Sequence, residues 1–133
     1  MKVMIDTNVI ISAALSPLGI AAQSMYKAMT LPFKPVVCDY IIDEIHRKFQ
    51  EKFPKENVQL EAFLYGIIQN FEIIPASMEE FELEKKIRDV KDRPILRAAL
   101  DIGVDYLLTG DKDFLESEIA TPKIICPADF LEL

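Results

Sequence analysis

Lys2-Val3-Met4-Ile5-Asp6-Thr7-Asn8-Val9-Ile10-Ile11-Ser12-Ala13 is the stretch that decides the fold. Lys2 to Ile5 is apolar and partly β-branched, the composition of a strand buried on both faces. Asp6-Thr7-Asn8 stops it abruptly. From Val9 to Leu15 the apolar residues resume at helical spacing, and Asp6, Thr7 or Asn8 can each cap that helix. A strand that runs through a short polar turn into a helix is the repeating unit of a parallel sheet.

The same alternation continues outward. Pro17 and Gly19 break the first helix, and Ile20 to Met29 reads as a second, with Ile20, Ala21, Met25 and Ala28 on one face. Pro35-Val36-Val37-Cys38 is a short buried strand, followed by Asp39 as the cap of a helix from Tyr40 to about Phe49. Pro54 opens a further helix with Val58, Phe63, Ile67 and Ile68 as its apolar stripe. Phe71 to Ile74 is a third strand. The charged run from Glu79 to Arg88 reads as a solvated helix or loop. Asp92 opens a helix with Pro94 in its first turn, where proline is tolerated. Ile95, Leu96, Ala99, Leu100 and Ile102 form its apolar face, and Gly103 closes it. Tyr106-Leu107-Leu108 and Ile124-Ile125-Cys126 are the fourth and fifth strands, and a short helix ends the chain. The sum is a three-layer α/β/α fold around a parallel sheet of about five strands, one domain over residues 1–133.

Composition narrows the function. Of 133 residues half are apolar and 28% charged, with 22 acids against 15 bases for a formal charge of −7. Binding to nucleic acid through a broad basic face is therefore disfavoured. Cys38 and Cys126 are far apart and belong to no metal-binding cluster, so each reads as a reduced, buried thiol at a strand end. No stretch approaches the roughly 18 apolar residues of a membrane span, and no secretory leader is evident, so the expected location is the cytoplasm.

The acids are more informative. Ligands of open parallel sheets bind beyond the carboxyl ends of the strands. Asp6 ends the first strand, Asp111 follows the fourth after Thr109-Gly110, and Asp92 begins the helix leading into the fourth. Glu44 lies about one turn into the helix after the second strand. Four carboxylates from distant segments can converge there. Two like charges 4 Å apart repel by roughly 4 kcal/mol at an effective dielectric near 20. A proton, a lysine or a divalent cation would relieve that, and Mg²⁺ and Mn²⁺ favour oxygen ligands. Each acid also has an ordinary use: Asp6 and Asp92 as caps, Glu44 as an ion-pair partner of Arg47 or Lys48, Asp111 and Asp113 as turn residues. The only histidine, His46, reads as a surface residue.

At these positions the chain resembles the PIN domain (PilT N-terminus) nucleases. Four segments carry the likeness: Val3 to Ala13, Asp43-Glu44-Ile45, Lys91 to Leu100, and Asp105 to Phe114. The resemblance implies that Asp6, Glu44, Asp92 and Asp111 are catalytic metal-binding acids, with Asp113 a further ligand. Asp89 competes with Asp92, which is preferred because the helical pattern starts directly after it. Thr7, Asn8 and Thr109 would orient carboxylates or waters. Lys91, Arg93 and Lys112 would hold substrate phosphates. The implied activity is Mg²⁺- or Mn²⁺-dependent endonucleolytic cleavage of RNA through a metal-activated water. The group it most resembles comprises small bacterial and archaeal toxins of toxin–antitoxin pairs, which implies an antitoxin partner, and the family's habit of dimerising implies a homodimer. A binding module of the same fold without turnover is the alternative. An aspartyl-phosphate enzyme fits less well, because Asp6 is followed by Thr7-Asn8 rather than by a second acid two residues on.

Overall fold

The computed structural model describes residues 1–133. Its five strands are β1 (Lys2–Ile5), β2 (Lys34–Cys38), β3 (Glu72–Ile74), β4 (Tyr106–Leu108) and β5 (Lys123–Ile125). All pair in parallel, in the spatial order β3-β2-β1-β4-β5. The helices are α1 (Thr7–Leu15), α2 (Ile20–Ala28), α3 (Asp39–Lys52), α4 (Asn57–Ile68), α5 (Arg93–Ile102), α6 (Lys112–Leu115) and α7 (Pro127–Leu131). They complete a three-layer α/β/α arrangement. The central strand is the first in sequence, and the chain winds one way to β2 and β3, then the other way to β4 and β5. This reversal places the carboxyl ends of β1 and β4 side by side, in the register Ile5 to Leu108.

β1 is buried along Val3, Met4 and Ile5, and the core continues through Val36, Val37, Leu107 and Leu108. Burial on both faces explains why these strands show no polar alternation. α5 closes at Gly103, whose φ of 70° is the left-handed conformation that favours glycine at a helix end. No single helix is long and apolar enough to cross a membrane.

Several local expectations are corrected. Ile20 is 55% exposed, and the inner face of α2 is Ala22, Met25 and Ala28, with Ala21 only half-buried. Asp39 does not cap α3 but is its first residue. Its carboxylate accepts instead from the Ala76 backbone N–H at 3.0 Å, tying the end of β3 to β2. α4 begins at Asn57 rather than Pro54, and its core stripe is Leu60, Leu64 and Ile67, while Val58 is exposed. Cys38 is buried, and burial pushes its thiol up to about 11, but Cys126 is only half-buried. His46 lies at the surface yet is paired, its Nδ1 2.8 Å from Glu61 Oε1.

The largest correction concerns Glu79 to Arg88. This segment folds as a short 3₁₀ turn over Glu82–Lys86, with Glu84 and Ile87 buried. Arg97 of α5 donates to both oxygens of Glu84, at 2.7 and 3.1 Å, and Phe81 N–H donates to Glu84 Oε2 at 3.0 Å. The guanidinium holds the Glu84 carboxyl below the usual carboxylate range. The segment is strapped down through Glu84 and Ile87, while Glu79, Glu80, Glu82, Lys85, Lys86 and Arg88 stay exposed to solvent as expected.

Candidate active site

Asp6 is positioned by the strand it ends. Its N–H donates to Leu108 O at 3.0 Å, extending the β1–β4 ladder by one rung, and its extended backbone makes it the cap of α1. One carboxylate oxygen accepts from Thr7 N–H at 2.8 Å and the other from the Thr109 hydroxyl at 2.7 Å. Only 3% of the residue is exposed. Burial pushes the carboxyl up to about 6 despite both hydrogen bonds, and the nearby charges of Glu44 and Asp111 push it further in the same direction.

Thr109 joins two acids. Fully buried after β4, it gives its hydroxyl proton to Asp6 and accepts from the Asp111 N–H at 3.0 Å. Asp111 in turn caps α6, accepting from Asp113 N–H at 2.9 Å. Asp92 ends a 3₁₀ turn over Val90–Asp92 and leaves α5 without a side-chain cap. Its carboxyl is thus free to face the other acids, and it rises to about 7 through burial first, then the charges of Asp111, Asp6 and Asp89. Asp89 spends its own side chain on the Lys91 N–H at 3.0 Å.

These residues line one cleft of about 290 Å³. Its walls are Asp6, Thr7, Asn8, Glu44, Asp89, Asp92 and Asp111, with Arg47, Lys48 and Lys91 as the only cations. The four acids picked out from the sequence therefore meet, together with Thr7, Asn8 and Lys91. Arg93 is turned away: its Nε donates to Ile87 O at 3.1 Å, and it lines a separate pocket with Glu84 and Arg97. Lys112 is not among the cleft's walls. Asp113 sits at the edge. One oxygen from each of Asp89, Asp92 and Asp113 lies within 4.8 Å of the others, while Arg88 pairs with Asp113 at 2.9 Å.

Three further residues contribute. By sequence Arg47 and Lys48 are only neighbours of Glu44. Lys48 does reach it, at 4.0 Å, but Arg47 makes no ion pair and faces the acids across the cleft. Tyr40, at the start of α3, donates its hydroxyl to Lys91 O at 3.1 Å and so braces the turn carrying Asp89 and Asp92. One turn separates Glu44 from Tyr40 and from Lys48, so the helical period held that information.

The donor set suits a hard divalent cation. It consists of carboxylates, with no sulfur or imidazole among the walls. Two carboxyls are held above their ordinary range, by burial first and then by the charges of the neighbouring acids. The Thr7 hydroxyl is buried in the wall without a protein partner.

The PIN domain family model matches residues 2–113. Among solved structures, VapBC2 from Rickettsia felis bound to a DNA fragment from their promoter superposes with a TM-score of 0.73 at 15% identity, covering 95% of this chain and 98% of that one. FitAcB from Neisseria gonorrhoeae gives 0.67 at 19% identity, covering 95% and 98%. The PIN domain endonuclease Utp24 gives 0.59 at 16% identity, covering 94% and 84%. No curated protein sequence matches the chain.

Proposed function

This chain belongs to the PIN domain family, and from that premise we propose that it is a divalent-metal-dependent endoribonuclease. The observation that carries the reading is the meeting of Asp6, Glu44, Asp92 and Asp111, from four separate segments, in one cleft beyond the strand ends. Asp6, Asp92 and Asp111 would hold Mg²⁺ or Mn²⁺, with Glu44 completing the set and Asp113 as a further ligand at its edge. A divalent ion there lowers the pKa of water and screens the charge of a phosphodiester.

The chain's own residues do the rest. Thr109 fixes the rotamer of Asp6 and the backbone of Asp111 at once, so the two carboxylates keep one separation. Thr7 N–H holds the other Asp6 oxygen, and the Thr7 hydroxyl is left to orient a water. Arg47 and Lys91 at the rim grip phosphate oxygens flanking the scissile one. No histidine lines the cleft, so the proton for the leaving oxygen would come from a water held within it.

The same reading makes this a cytoplasmic toxin restrained by an antitoxin protein. It is supported by the likeness to VapBC2 and FitAcB. A homodimer is part of that proposal. The decisive experiment is cleavage of mixed RNA with Mn²⁺ by wild type and by Asp6→Asn. Loss of at least about a hundredfold in Asp6→Asn is expected, in line with removal of one preorganised charge-stabilising group. Equal activity in both proteins overturns the assignment.

A further inference from the structure

Beside the acid cleft lies a second hollow of about 230 Å³, bounded by Asn8, Val9, Ser12, Ala21, Gly110 and Pro127. The two adjoin. Asn8 lines both, and Gly110 directly precedes Asp111. Their chemistry is opposite: eight of the ten walls of the cleft are charged, whereas the hollow has no titratable side chain.

Val9, Ala21 and Pro127 give the hollow apolar walls. Asn8 and Ser12 are exposed, and both can donate and accept hydrogen bonds. At Gly110 a side chain would meet nothing within 4 Å, so the space beside that backbone is open. A phosphate gains little in a notch without a cation. An apolar side chain would leave the amide and the hydroxyl unused. A flat, uncharged group with hydrogen-bonding edges satisfies both kinds of wall. The volume is below the roughly 300 Å³ at which sites for drug-sized ligands begin, a size suited to one heterocycle.

Resting on the nuclease reading, we propose that this notch is a nucleobase subsite, taking the base of a nucleotide adjacent to the scissile phosphate. The substrate is then an unpaired strand, because a base in a duplex has its edge engaged and cannot splay into a side pocket. No aromatic side chain lines the notch, so the base is read by its edges rather than by stacking. The walls come from α1, α2, the turn after β4 and the start of α7, all packed elements, so the subsite is preformed.

The test is an abasic scan. Single-stranded RNA oligonucleotides carrying one abasic nucleotide, moved stepwise past the cleavage site, are cut with Mn²⁺ by wild type and by Ser12→Phe. At one position next to the cut, the missing base should lower wild-type kcat/KM about tenfold, the worth of one or two neutral hydrogen bonds. Ser12→Phe should cut intact and abasic strands at similar rates. Wild-type indifference at every position, or discrimination unchanged in Ser12→Phe, overturns the subsite and leaves the nuclease standing. Failure of wild type to cut any strand overturns both. The scan on wild type requires no variant to fold.

Discussion

Two buried acids in this molecule are treated in opposite ways. Glu84 is 4% exposed and Asp6 is 3% exposed. Glu84 receives a two-pronged guanidinium from Arg97, and its carboxyl falls below the ordinary range. Asp6 receives a hydroxyl and one backbone N–H, and its carboxyl rises to about 6. The fold thus supplies a built-in cation to Glu84, where an acid serves packing, and withholds one from Asp6. Lys48 and Arg47 stand close enough to Asp6 and Asp111 to line the same opening, yet neither pairs with them. An acid kept short of positive charge is a place for a cation from outside.

The comparison breaks most visibly if Arg97 is removed. Arg97→Ala should strip Glu84 of its partner and cost about 3–5 kcal/mol in urea denaturation, the usual penalty for orphaning one member of a buried pair. Adding Glu84→Gln should recover part of the loss. A change below about 1 kcal/mol would mean that the pair is solvated after all.

In the cleft the sign reverses. A carboxyl whose folded pKa lies above its unfolded value binds more protons when folded, so stability declines as pH rises between the two. For Asp6 that window runs from 3.8 to about 6, and for Asp92 from 3.8 to about 7. Metal-free protein should therefore be less stable at pH 8 than near pH 4.5 as far as these groups decide. Asp6→Asn should gain up to about 3 kcal/mol at pH 8 in EDTA, with the gain shrinking toward pH 4. Mn²⁺ should raise the melting temperature of wild type at pH 8 more than at pH 5.5, and should leave Asp6→Asn nearly unmoved. A destabilised Asp6→Asn at pH 8 would show that its hydrogen bonds outweigh its burial.

The finest test separates the hydroxyl from the charge. Thr109→Val keeps the shape and removes the proton given to Asp6 and the acceptor for Asp111. A loss of about ten- to a hundredfold in Mn²⁺ affinity or cleavage is expected, typical of groups that support metal ligands. Unchanged affinity would show that β1 and β4 alone set the spacing of the two acids.

Much of the fold was legible because β1, β2 and β4 are apolar on both faces and end in polar turns. The site was legible for a related reason: Asp6 and Asp111 sit at strand ends, where topology alone brings them together. What was not legible depended on partners far along the chain. Nothing near Glu84 indicates burial, because the guanidinium that makes it tolerable lies 13 residues away on another element. Arg93 looked like part of the acid segment, but one step around the first turn of α5 points it to Ile87 instead. Ile20 shares a helical stripe with Met25 and Ala28 by spacing, but it is the first residue of α2 and is 55% exposed. Asp89 and Asp92 remained rivals in sequence. The 3₁₀ turn sets them side by side, with one engaged on backbone and the other facing the acids.

The few cations at the cleft mouth have a further consequence. Arg47, Lys48 and Lys91 surround the opening of a molecule whose formal charge is −7. A polyanion drifting toward it meets repulsion at long range and attraction only over the last few ångströms. Dissolved salt with a screening length of about 10 Å at 0.1 M removes the first before the second. Encounter should then quicken as ionic strength rises from very low values, the reverse of the steep decline shown by proteins that greet nucleic acid with a basic face.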